Sequence, residues 1–146
     1  MKPTRRISGQ RGAMMLELAL VLPLMVLVIM IVLEGSALVR AHQVLNNAAR
    51  EGARLAVMQE YKDNTGDITN QVVAYAAENG LTLDPTQVVI DETKVIPGPA
   101  GIGIPASRVT VSYSYTMNYL AVFAWLGVPS TYSLQGAAEF RNFYGS

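Results

Sequence analysis

The residues whose types and spacing could support chemistry lie near the N-terminus, in the stretch G-Q-R-G-A-M-M-L-E at positions 9–17. Glu17 is the one charged residue in the apolar run of residues 13–33. A carboxylate inside a membrane costs at least ~2.5 kcal/mol at the bilayer centre and usually has a partner. Hydrolysis of the bond between Gly12 and Ala13 would create a partner, the α-amino group of Ala13.

Positions 13 and 17 form an i, i+4 pair on one face of a helix. Between neighbouring helices, the amine of one chain and the carboxylate of the other can neutralise each other and fix an axial offset. The pattern is therefore compatible with charge pairing in an assembly as the role of Glu17. The alternative is a carboxylate that is tolerated at the membrane rim, where it reaches the headgroups.

The rest of the sequence indicates no catalytic, metal or cofactor site. There is no cysteine and His42 is the only histidine, so a transition-metal site is not expected. Asp63, Asn64 and Asp67 do not have the EF-hand spacing and are typical of a turn. The glycines of residues 98–103 lack the lysine and the strand–loop–helix setting of a phosphate-binding loop. We expect a protein that is not an enzyme.

Residues 13–33 have the length and composition of a transmembrane helix. A helix of this length spans about 31 Å, the thickness of the hydrocarbon core. The preceding residues contain four basic side chains and no acidic one, which predicts a cytoplasmic N-terminus and a body outside the inner membrane. The basic residues are Lys2, Arg5, Arg6 and Arg11. The formal net charge is zero, and a basic tip on an acidic body argues against nucleic-acid binding.

Other interpretations of this region stay open. Residues 34–41 contain weak candidates for the cleavage site of a secretory signal peptide. An uncleaved single-span anchor that carries an extracytoplasmic binding module would also explain the basic flank and the length. Pro23 removes one backbone hydrogen bond and is expected to bend or loosen the helix. Glu34, at the outer end of the apolar run, is expected to be an exposed carboxylate without a special role.

The stretch R-G-A-M-M-L-E at 11–17 resembles the class III signal of type IV pilins and pseudopilins. This resemblance implies cleavage between Gly12 and Ala13 by a prepilin peptidase. Ala13 and Leu18 stand where many type IVa and IVb pilins have Phe. Together with E-G-S-A-L-V-R-A at 34–41 and the residues at 43–56, the region 10–58 is similar to the N-terminal region of TadE-like proteins, pilin-like components of tight-adherence (Flp, type IVc) pilus systems.

The resemblance implies a structural role in pilus biogenesis, adherence and biofilm formation. The major Flp pilins are much shorter, which favours a minor pilin or pseudopilin. The implied partners are the inner membrane, a prepilin peptidase, other pilin-like subunits through the N-terminal helix, and platform proteins of the pilus or secretion apparatus. No cofactor is implied.

The expected fold is α+β and pilin-like. It has a basic leader at 1–12, a transmembrane helix at 13–33, an extracytoplasmic continuation of that helix at 34–60 and a small head at 61–146. One apolar stripe of the long helix should pack onto the protein's own sheet, although a seam between subunits is the alternative. Its members are Leu38, Ala41, Leu45, Ala48, Gly52 and Leu55.

In the head, a second short helix capped by Asp67 or Thr69 should end at Asn79 and Gly80. Strands are predicted at 87–91, 107–117 and 131–140, with a loop at 97–105. The apolar residues 118–129 are too few to span a membrane easily. They are expected to pack onto the sheet, and the alternative is an exposed patch for a partner.

Overall fold

The computed structural model describes residues 8–62 and 64–142, and side chains in 12–62, 64–99 and 101–142. The helices are α1 (Ser8–Ala56) and α2 (Thr65–Glu78), and the strands are β1 (Val88–Pro97), β2 (Gly103–Thr116) and β3 (Thr131–Arg141). The strands form one antiparallel sheet in the order β1-β2-β3. This confirms the α+β, pilin-like expectation. Lys2, Arg5, Arg6 and the side chain of Arg11 lie outside the described residues.

Helix α1 has 49 residues and is about 74 Å long. It begins at Ser8, before the predicted cleavage site, and continues without a break through Pro23. It ends at Ala56, earlier than expected, and a short 3₁₀ helix follows at Gln59–Tyr61. The side chains of the first half are exposed, whereas the second half packs against β2, β3 and α2.

The apolar stripe of α1 packs onto the sheet, as predicted. Five of its six members are buried and Leu38 is half-buried. The sheet contributes the alternate side chains of β2, of which Val109, Val111 and Tyr115 are buried in the same core. A glycine on the sheet lets the backbones of β3 and α1 approach closely. At Gly136 of β3 a Cβ atom would lie 2.5 Å from the carbonyl carbon of Leu45.

Helix α2 covers a second side of α1 with Ile68, Val72 and Ala76, which are fully buried. Its N-cap is Asn64, whose side chain accepts from the Asp67 N–H, so the prediction of Asp67 or Thr69 as the cap is wrong. Asn64 acts as the cap because its amide oxygen reaches the unpaired N–H groups of the first turn. The helix ends at Asn79 with Gly80 at φ +83°, as the sequence predicted.

The loop predicted at 97–105 is much shorter than expected. Residues 98–102 form a turn closed by the Gly98 N–H donating to Ile102 O at 2.9 Å, and strand pairing continues on both sides, from Pro97 with Gly103 to Val95 with Pro105. Pro105 lacks a donor, but its carbonyl still accepts from the Asn142 N–H at 2.9 Å. Pro97 and Pro105 therefore do not prevent the pairing of β1 with β2. The predicted strands at 107–117 and 131–140 are present, and β1 is longer than 87–91.

Candidate membrane and assembly site

The N-terminal half of α1 is a long apolar surface without a protein covering. The side chains from 12 to 33 are exposed apart from the half-buried Leu27 and Met30. Leu16 and Leu20, for example, are exposed to 72% and 69%. Among the described residues, α1 is the one helix long and apolar enough to cross a membrane. Each such side chain gains about 1.5–3 kcal/mol on transfer out of water, so this surface requires lipid or other apolar helices.

The residues predicted for cleavage and pairing lie on this exposed half. Gly12 and Ala13 are in helical conformation, and a Cβ atom at Gly12 would meet nothing within 4 Å. Glu17 lies one turn further on, is exposed, and has no hydrogen-bond or ion-pair partner among the described residues. The structure therefore leaves the Glu17 carboxylate available to a group outside the head. Its pairing and the cut at Gly12 stay predictions.

Glu34 is buried, and the expectation that it is an exposed carboxylate is wrong. Only 3% of its surface is exposed. Its Oε1 accepts from the Tyr115 hydroxyl at 2.8 Å and from the Asn118 N–H at 3.3 Å. Its Oε2 accepts from the N–H groups of Tyr119 at 2.7 Å and Leu120 at 3.1 Å. The carboxylate of α1 thus holds the end of β2 and the start of the segment that follows it.

The environment of Glu34 favours its ionised form. Burial by itself raises the pKa of Glu34. The hydrogen bonds from the Tyr115 hydroxyl and from the amides of residues 120, 119 and 118 outweigh burial, and the pKa lies below its ordinary value. Those amides are the unpaired donors at the start of the 3₁₀ helix Leu120–Leu126, where a negative charge is stabilising.

Tyr115 is held over α1 by its place in β2. It lies on the helix-facing side of the strand, in register with Tyr132 of β3. Burial, followed by its hydrogen bond to Glu34 and the negative charge there, raises the pKa of Tyr115 to about 12. The phenol therefore stays protonated and keeps donating to Glu34 across the physiological range of pH.

A sequence signal for the burial of Glu34 does exist. The stripe of α1 that faces the sheet runs back from Leu45 through Ala41 and Leu38, in steps of three or four residues, and the next step is Glu34. Extension of the stripe by one turn would have predicted a buried carboxylate. The donors that satisfy it could not be found in this way, because they lie 81 to 86 positions away in the chain.

Residues 119–126, here called the 119–126 segment, follow the end of β2 and form an exposed apolar surface. It contains the 3₁₀ helix Leu120–Leu126. Trp125 is exposed to 79%, Val122 and Leu126 to 60% and Tyr119 to 45%. The expectation that this stretch packs onto the sheet is wrong for these four side chains, and the alternative of an exposed patch describes them. The helix-facing side of the sheet is already covered by α1 and α2.

A groove of about 330 Å³ lies beside the Glu34–Tyr115 contact, between α1, the end of α2 and β2. Its polar lining includes Arg40, Asn79, Tyr113 and Asn118. Among the described residues there is no group of three or more His, Cys, Asp or Glu side chains that could hold a metal ion. The groove itself is lined by one cationic side chain, Arg40, and by neutral hydrogen-bonding groups.

Residues 12–54 match the family model described as TadE-like protein. The match begins at Gly12 and ends within α1, and it confirms the resemblance predicted for the N-terminal region. TadE-like proteins are structural components of pilus systems. Comparison of the chain with curated proteins and with solved structures gives no significant match. The head beyond α1 is therefore described by its own geometry alone.

Proposed function

We propose that this chain, which is TadE-like over residues 12–54, is a minor pilin or pseudopilin-like structural component of a tight-adherence (Flp, type IVc) pilus biogenesis and secretion apparatus. The observation that carries the proposal is the division of α1 into two halves at Glu34. The half before it is apolar and exposed, whereas the half after it is covered by the head. A helix of this kind joins other apolar helices or lipid at one end and presents a folded domain at the other.

The second half of α1 is not suited to apolar packing between subunits. Its inner stripe is used by the protein's own sheet, and the outward side chains include His42, Gln43, Asn47, Arg50 and Arg54, which are exposed and polar. Contacts with other pilin-like subunits are therefore expected along residues 13–33. There Glu17 is the side chain that can select an axial offset, by pairing with the α-amino group of Ala13 in a neighbouring chain.

Processing by a prepilin peptidase between Gly12 and Ala13 is part of the proposal. The basic residues of the leader orient the chain with its N-terminus in the cytoplasm of a bacterium and its head in the periplasm. The Gly12–Ala13 bond then lies at the cytoplasmic end of the membrane span, where such an enzyme can reach it. The exposed position of Gly12 on α1 supports this arrangement.

The experiment that tests the proposal is the mass and N-terminal sequence of the protein purified from its native membrane. We expect a chain that begins at Ala13. An intact Met1 would instead support an uncleaved, single-span anchor for an extracytoplasmic binding module. A chain that begins beyond residue 35 would show that the apolar segment is a signal peptide and would contradict the pilin proposal.

The pairing role of Glu17 is tested by Glu17→Ala and Glu17→Gln. Both variants should be cleaved like the wild type, and both should enter sheared pilus fractions at least about tenfold less, the factor that 1.4 kcal/mol represents. The matched control is Glu78→Ala, which removes an exposed carboxylate from the end of α2. Wild-type incorporation of both Glu17 variants would contradict the pairing.

A further inference from the structure

The 119–126 segment is an uncharged surface with four of its large side chains exposed. Tyr119, Val122, Trp125 and Leu126 are all exposed, and no Asp, Glu, Lys or Arg occurs between Arg108 and Glu139. A contiguous apolar patch on a small domain usually marks an interaction site with protein or membrane. The position of this segment in the fold distinguishes a membrane from a protein partner.

The position of this segment is fixed by Glu34. The carboxylate accepts from the N–H groups of Tyr119 and Leu120, at 2.7 and 3.1 Å. Glu34 directly follows Leu33, the last residue of the exposed apolar run of α1. The 119–126 segment therefore begins at the level of the helix where the apolar run ends.

The rest of the head extends away from this level. Along α1, Leu45 contacts the backbone near Gly136, and Gly52 contacts Val109. The turn at 98–102 and the C-terminal end of β3 lie at the far end of the sheet, because β2 and β3 run antiparallel from Tyr115 and Tyr132 to Ala106 and Arg141. The segment is thus at the membrane-proximal end of the head.

We propose that the 119–126 segment inserts into the headgroup and upper acyl region of the bilayer that α1 spans, with Trp125, Val122 and Leu126 in contact with lipid. The inference rests on the membrane placement of α1 in the proposed function. Tryptophan and tyrosine are enriched at this depth because one part of the ring is apolar and the other is polar. Arg40, six residues beyond Glu34 on α1, lies about 9 Å further from the membrane, within reach of phosphate headgroups.

The consequence of this insertion is a second attachment of the head to the membrane. With α1 alone, the whole subunit could rotate about the helix axis and tilt in the membrane. With the segment in the interface, one edge of the head is held against the outer surface, and the hydrogen bonds of Glu34 couple that edge to α1. Release of the segment from lipid would then accompany the transfer of the subunit from the membrane into a filament.

Trp125 is the only tryptophan of the chain and is itself the probe for this proposal. The full-length wild-type protein is reconstituted in vesicles of phosphatidylethanolamine and phosphatidylglycerol that carry bromine either high or deep on the acyl chains. We expect Trp125 emission to be quenched at least twofold more strongly by the shallow bromines. Identical emission with and without brominated lipid, in protein that co-floats with the vesicles, would overturn the insertion. The segment would then face solvent or a protein partner.

The matched control carries the tryptophan at the opposite end of the head. In Trp125→Phe/Phe140→Trp the probe lies near the C-terminal end of β3, about 30 Å from its start by strand rise. Its emission should be insensitive to brominated lipid, and equal quenching of both proteins would overturn the proposal. Protein that fails to co-float and is extracted by alkali would refute the membrane span of the proposed function, and with it the insertion.

Discussion

Replacement of Glu34 tests whether one buried carboxylate connects the long helix to the end of the sheet. In Glu34→Ala the Tyr115 hydroxyl and three backbone N–H groups lose their acceptor. A buried donor without a partner costs about 1–3 kcal/mol. The hydroxyl of Tyr115 is the most deeply buried of these donors, whereas water can reach the amides of the exposed residues 118 and 119. We therefore expect a loss of about 3–5 kcal/mol in the free energy of unfolding, from the buried hydroxyl at full cost and the amides at a smaller one.

Glu34→Gln keeps the shape and one carbonyl oxygen. That oxygen can still accept from the Tyr119 and Leu120 amides, and the new NH₂ group can donate to the Tyr115 hydroxyl, which also accepts. The Asn118 N–H, already the longest contact at 3.3 Å, then faces another donor, and the proton of the Tyr115 hydroxyl loses its acceptor. The loss should be smaller, about 1–2 kcal/mol, since the charge-assisted bonds are replaced by neutral ones.

The assay is denaturant unfolding of the full chain in detergent micelles, followed by circular dichroism, with native-state amide exchange as the local measurement. Exchange at Tyr119 and Leu120 should accelerate in Glu34→Ala by more than exchange in α2, because the opened donors are local to the segment. Tyr115→Phe should cost about 1.5–3 kcal/mol, the value of a hydrogen bond to a charged group. In the double variant with Glu34→Ala, the combined loss should fall at least ~1 kcal/mol short of the sum.

The pH dependence gives an independent test. Because the folded pKa of Glu34 is below its ordinary value of 4.5, its stabilisation is fully present above that value and is lost as pH falls through the folded pKa. The stability difference between wild type and Glu34→Gln should therefore narrow below pH 4.5. A difference that stays constant down to pH 3, or additive losses in the double variant, would refute the role assigned to this carboxylate.

Two further perturbations address the packing of the head and the other member of the contact. Gly136→Ala places a Cβ 2.5 Å from the Leu45 backbone, which cannot move aside, and should cost about 1–3 kcal/mol in chemical denaturation. The control Gly66→Ala, with its nearest contact at 3.9 Å, should instead stabilise α2 by about 0.5–1 kcal/mol, and equal losses in the two variants would contradict the close approach. For Tyr115, whose pKa is raised to about 12, ultraviolet titration of the folded protein should show one phenol ionising well above the ordinary value of 10, and the late step should disappear in Tyr115→Phe. The stability that this phenol contributes is present below pH 10 and is lost as pH rises through 12, so an early loss between pH 8 and 10 would contradict the assignment.

Local patterns in the sequence were sufficient to predict most of the fold. The period of α1 identified the stripe that faces the sheet, and strict alternation identified the central strand with Val109 and Val111 inward. Asn79 and Gly80 ended α2 as predicted, because a left-handed residue at that position favours glycine. These features depend on residues that are close in sequence, so their period or turn chemistry is visible without the structure.

The features that were predicted wrongly depend on distant residues or on the solvent. The burial of Glu34 requires donors more than eighty positions away, and no local pattern contains them. The 119–126 segment is apolar, which normally predicts burial in the protein's own core. However, α1 and α2 already cover the helix-facing side of the sheet. Under the proposed insertion, the membrane is a second apolar environment, which a sequence pattern does not distinguish from the core.

Glu17, near the start of the apolar run, and Glu34, just beyond its end, have opposite relations to the rest of the chain. Glu17 and Glu34 are 17 residues apart, about 25 Å along the helix, close to the thickness of the hydrocarbon core. Glu34 is fully engaged by the head, so it cannot also serve contacts between subunits. Glu17 has no partner among the described residues. The head-side carboxylate therefore sets where the folded domain begins. Under the proposed function, the carboxylate at the other end is neutralised by a group of another chain, so the charge within the apolar run acts in assembly and the charge just beyond it acts in the fold.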